Sequence, residues 1–149
     1  MTLPIDPTVL DAADIGEETV RLDMEHEEAI EYVRRICTEE GFGVPVEFSP
    51  SDLLREKIDA ERDPLYVLGA CNPTMADRAL DETLDIAALF PCNIIIRELE
   101  PGVQEVHHVS IMRIARLVGM APDSPAWDDI VADTGALVDA TFERLRAEA

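Results

Sequence analysis

Two cysteines could do chemistry in this chain, and they stand in similar frames: Leu68-Gly69-Ala70-Cys71-Asn72-Pro73 and Phe90-Pro91-Cys92-Asn93. A small or turn-forming residue, a thiol and an amide, with a proline beside them, describe a junction between backbone elements. Cys71 is expected just before the cap of a helix, where unpaired N–H groups and the helix dipole favour a negative sulfur and can bring a thiol below its free pKa of ~8.5. Such a thiolate could attack a substrate, with Cys92 as its resolving partner in a redox or persulfide-transfer cycle, or it could bind a metal. The plain alternative is that both are small buried hydrophobes at tight turns.

The amides carry the same choice. Asn72 followed by Pro73 matches an N-cap with proline at the first helical position, and Asn93 could serve a loop in a similar way. If the two strands feeding these junctions are neighbours, Cys71, Asn72, Cys92 and Asn93 line one shared pocket, since pockets form where strand ends converge. His107 and His108 lie on a strand expected to run back beside Cys92. Successive strand residues face opposite sides, so only one of them can join that thiol. Two thiols and one imidazole would suit zinc with an open position or copper(I), although the spacing matches no short metal signature. No cofactor is identified. Cys37, at an inward helical position, reads as core, and the odd set of three cysteines argues for reduced thiols rather than a disulfide framework.

The elements that must position these residues follow from periodicity. Residues 1–16 hold Pro4, Pro7 and several acids without a sustained apolar period, and are expected to form a mobile acidic lead-in. A single domain over 17–149 follows. Val20, Leu22 and Met24 alternate with polar residues as in a half-buried strand. Ala29, Ile30, Val33, Ile36 and Cys37 then recur at helical spacing, and Gly41 ends that helix. Residues 42–48 read as a strand in which Pro45 demands an edge or a bulge, and Ser49-Pro50 opens a short helix through Ile58. Residues 65–70 form a third strand leading into a helix at Pro73. Residues 93–98 and 103–109 form a hairpin. Ser110 and Ser124 cap two final helices, the last carrying Trp127, Ile130, Val131, Leu137, Val138, Phe142 and Leu145 along one side. Mixed helices and strands with an adjacent hairpin predict an α+β fold with a mainly antiparallel sheet.

Charge narrows the partners. Across 149 residues, 32 acids face 12 basic residues, a formal charge of −20, and Lys57 is the one lysine. Self-repulsion of this size is largely screened at molar salt, where the Debye length is about 3 Å, so the composition suits a salt-rich cytoplasm. It opposes nucleic acid and anionic membrane surfaces alike. No stretch reaches the roughly 18 apolar residues of a spanning helix, and no basic-then-apolar leader is present. The expected location is cytoplasmic. The serines fall at caps rather than in a nucleophile elbow, and Gly41-Phe42-Gly43 lacks the rest of a dinucleotide fingerprint, so no catalytic set stands out.

Gly41-Phe42-Gly43-Val44, Leu54-Arg55-Glu56-Lys57, Tyr66 through Pro73 with Ala79-Leu80, and Leu89-Phe90-Pro91-Cys92-Asn93 together resemble the domain-of-unknown-function 302 family, from about Thr19 to the last helix. The resemblance implies a compact α+β domain of the TATA-binding-protein-like group of folds, often a homodimer, with no established activity; the fold label imports no DNA binding. Ser110-Ile111 and the His107-His108 pair depart from the family pattern. Three functions follow as expectations. One is a non-enzymatic domain binding a small molecule or a soft metal ion at the two Cys-Asn junctions. Another is a thiol redox or persulfide-transfer protein. The third is a dimeric interaction module using the apolar stripe around Trp127 and Phe142.

Overall fold

The computed structural model describes residues 6–149. Its frame is one five-stranded sheet of β1 (Glu18–Asp23), β2 (Gly43–Phe48), β3 (Leu65–Cys71), β4 (Cys92–Glu100) and β5 (Val103–His108), antiparallel throughout and ordered β1-β5-β4-β3-β2. The fold is α+β, as the mixed periodicities predict. β2 is an edge strand and its register shifts between Gly43 and Val46, so Pro45 sits where its missing N–H disrupts no continuous ladder.

Helices α1 (His26–Glu39) and α5 (Pro125–Ala147) cover one face of the sheet. That face presents Val20, Leu22, Leu68, Ala70, Ile94, Ile96 and Val106, which pack with Ile30, Val33, Ile36 and Cys37 of α1 and with Phe142 and Leu145 of α5. A second apolar cluster lies beyond the ends of β3 and β5. There Ala79 of α3 (Pro73–Glu82), Ile86 of the 3-10 turn Leu84–Leu89, and Met112 and Ala115 of α4 (Ile111–Leu117) meet Trp127, Ile130 and Val131 of α5. Helix α2 (Pro50–Ile58) is capped by Ser49 and tied to β3 through Ser51, whose Oγ accepts from Leu65 N at 3.0 Å.

Helix α5 therefore serves two cores, its first half the second cluster and its last turns the main one. Trp127 and Phe142 are both 0% exposed. The stripe considered above as a docking surface is thus internal packing, because α3, α4 and the sheet already occupy its apolar side. Of the acidic lead-in, residues 1–5 lie outside the described residues. Residues 6–16 carry a 3-10 turn at Pro7–Val9 and reach the domain at Ile15, whose carbonyl accepts from Ser110 N at 2.8 Å. No helix among the described residues is long and apolar enough to cross a membrane.

Candidate functional site

β3 and β4 are direct neighbours, with Ala70 opposite Cys92, and Cys71, the next residue of β3, lines the same cavity as Cys92. The proximity is felt electrostatically. The Cys92 thiol is pushed up to about 12, mainly by burial and further by the neighbouring Cys71. Cys37 is likewise pushed up to about 12 by burial in the main core. The two sulfur-bearing junctions converge, but their amides do not play matching parts.

Asn72 is the N-cap of α3. Its side-chain oxygen accepts from Met75 N at 3.0 Å, and its Nδ2 donates to Gly41 O at 3.0 Å, tying the start of α3 to the turn after α1. Asn93 instead lies one residue inside β4. Cys92, Ile94 and Ile96 point toward the helices, so period two turns the Asn93 side chain to the open face, where it is exposed. Its carbonyl, not its amide, enters the site, and the shared four-residue lining reduces to Cys71, Asn72 and Cys92.

The same alternation separates the histidines. His107 faces outward, 3.8 Å from a Glu17 oxygen. His108 stands opposite Ile94 and turns inward, 3% exposed, with Nδ1 2.9 Å from Asn93 O and its ring 6.3 Å from that of Phe142. Burial pulls its pKa below the ordinary 6.5, opposed by the bond to Asn93 O and aided to a lesser extent by the field of His107. Among the described residues, no three His, Cys, Asp or Glu side chains come together in a way that could hold a metal ion. The metal set of Cys71, Cys92 and either histidine is therefore not assembled.

These groups line a cavity of about 580 Å³, mainly apolar and partly open to solvent. Its walls are the ends of β3 and β4 with Cys71 and Cys92, His108 at the end of β5, Met75 and Ala76 of α3, and the middle of α5 from Thr134 to Asp139. It sits between the two apolar clusters, where α5 passes from one to the other. Gly135 marks that passage. A Cβ there would meet nothing within 4 Å, so no close contact requires glycine, although glycine in a helix costs about 1 kcal/mol relative to alanine. The sequence reading left open which of His107 and His108 turns inward, and it missed α5 as a cavity wall; a glycine inside an otherwise amphipathic helix was the available signal.

The family model for domain of unknown function DUF302 matches residues 18–145. Among solved structures, the crystal structure of an uncharacterized conserved protein DUF302 from Bacillus stearothermophilus is similar, with a TM-score of 0.75 and 28% identity, over 89% of this chain and 99% of that one. No curated protein matches the chain.

Proposed function

Because this chain belongs to the DUF302 family, whose name carries no activity, its function has to be read from the cavity, and we propose that the protein is a non-enzymatic domain binding a small, mainly apolar ligand there. The observation that carries this reading is the cavity itself. At about 580 Å³ it falls within the roughly 300–1,000 Å³ of small-molecule sites and shares their make-up, an apolar wall with a few convergent polar groups. The two thiols shape its floor and are weak donors toward an occupant.

Thiol exchange is less well supported. A resolving Cys92 must attack as a thiolate, and a thiol held up to about 12 supplies little thiolate near neutrality.

Gly135→Leu tests the binding reading, since the new side chain has open space and removes a helix-weakening glycine. Native mass spectrometry of anaerobically purified protein is expected to reveal an adduct on the order of a few hundred daltons. That adduct should be lost in Gly135→Leu without loss of thermal stability. A uniformly bare mass, with no stabilisation by any small apolar compound, refutes the proposal.

A further inference from the structure

We infer that the ligand of this cavity is an uncharged, mainly apolar molecule with one hydroxyl-type donor, which it gives to the Nε2 lone pair of His108. The inference rests on the binding reading above. A carbonyl oxygen can only accept, so the 2.9 Å contact between His108 Nδ1 and Asn93 O places the proton on Nδ1. Burial keeps the ring neutral, which leaves Nε2 bare. Nε2 has no hydrogen-bond partner among the described residues. Yet no fully buried side-chain nitrogen or oxygen among them is left unpartnered. The two statements agree only if Nε2 opens on free space, and the free space that His108 borders is the cavity.

The neutral amide and hydroxyl side chains on the wall already have bonds within the chain. Asn72 uses its oxygen on Met75 N and its nitrogen on Gly41 O. Thr134 Oγ1 donates to Ile130 O at 2.8 Å, and Ser110 Oγ accepts from Arg113 N at 3.2 Å. Beside the carboxylates of Glu17, Glu18 and Asp139, His108 Nε2 is a strong acceptor on this wall left without a partner among the described residues, and an apolar site with an unmatched acceptor selects a matching donor. Charged side chains of both signs, Arg113 and Glu17, Glu18 and Asp139, share the lining, but the chain as a whole carries −20 and most of the wall is apolar, so an ion moved against it would lose hydration.

Four probes of similar size separate the outcomes: 4-ethylphenol, ethylbenzene, 4-ethylbenzoate and 2-phenylethylamine. They are titrated calorimetrically into the native protein and into His108→Asn, whose amide nitrogen can keep the bond to Asn93 O while Nε2 is lost. The affinity of 4-ethylphenol relative to ethylbenzene is expected to fall about tenfold in the variant, the worth of one hydrogen bond. Ethylbenzene binding should hold. In the native protein, the 15N resonance of His108 Nε2 should move on saturation with 4-ethylphenol and stay in place with ethylbenzene, a readout that does not depend on the variant folding. An unchanged ratio, an unmoved resonance, or tightest binding by the benzoate or the amine overturns the inference while leaving the cavity a binding site. Absence of binding by all four overturns the binding reading as well.

Discussion

Replacing Asn72 by alanine decides whether this amide serves the fold or the ligand. The residue borders the cavity, yet both ends of its amide are engaged within the chain, the oxygen at 3.0 Å from Met75 N and the nitrogen at 3.0 Å from Gly41 O. Loss of the cap costs about 1 kcal/mol. Loss of the tie to Gly41 costs about another 1 kcal/mol. The sum, about 2 kcal/mol, corresponds in a chain of 149 residues to a fall in Tm of about 4–8 °C. Asn72→Asp should lose less, because a carboxylate still caps the helix and gains from its positive end, while the donor to Gly41 is gone. Urea unfolding followed by circular dichroism at fixed molar salt checks both, with the midpoint lowered and the slope unchanged. An alanine variant with native stability and no affinity for 4-ethylphenol would refute the capping account and make the amide a ligand contact.

Three further perturbations test the frame around the site. A Cβ at Gly69 would lie 2.6 Å from Val46 Cγ2, 2.7 Å from Pro91 Cγ and 2.9 Å from Val46 O, so Gly69→Ala must displace the backbone of β2; a loss of about 2–3 kcal/mol in urea unfolding is expected, and near-native stability would contradict the packing described. Cys37 and Cys92 are held up to about 12 against an ordinary 9.0, so above pH 9 the unfolded chain binds fewer protons than the fold; stability should be intact below pH 9 and fall toward pH 12, by up to about 2.7 kcal/mol per pH unit from the two thiols. The decline should be shallower in a Cys37→Ala, Cys92→Ala double variant, Tyr32 and Tyr66 adding their own loss in both proteins, and identical declines would refute the assignment. His108 is depressed below 6.5 in the fold, so its contribution is present above that pH and is lost as pH falls; the difference in stability between native protein and His108→Asn should shrink in acid, and a difference independent of pH would show that the imidazole is not buried neutral.

Much of the frame could be read from residues whose local rule is strong. Pro45 announced an edge or a bulge and β2 is both, Gly41 closes α1 with φ of 100°, and Asn72-Pro73 opens α3 with the cap bond in place. Where the outcome depended on pairing, the local rule was insufficient. Period two told that one of His107 and His108 faces inward, but which one depends on the register that sets His108 opposite Ile94. The likeness of the two Cys-Asn frames misled for the same reason. Asn72 follows its strand and turns into a helix, whereas Asn93 is inside its strand, so equal local sequences point their amides in unrelated directions. The contact of Ile15 with Ser110 is tertiary and leaves no trace in the composition of the acidic lead-in.

The cavity itself follows from a helix divided between two cores. Because it is partly open to solvent, its 580 Å³ holds water when no ligand is present, and what a ligand gains is the release of that water from a mainly apolar wall. Water is a poor tenant for a wall of Met75, Ala76, Leu137 and Val138, where few groups can hold it by the two to four hydrogen bonds an ordered water needs. On the proposed reading, a mainly apolar occupant satisfies the same wall by contact and leaves His108 Nε2 as the place where its polar end is read. It follows that the protein should be measurably more stable when loaded, by about 2.7 kcal/mol at a hundredfold excess over Kd, and that Gly135→Leu, which fills the space from within, should blunt that gain.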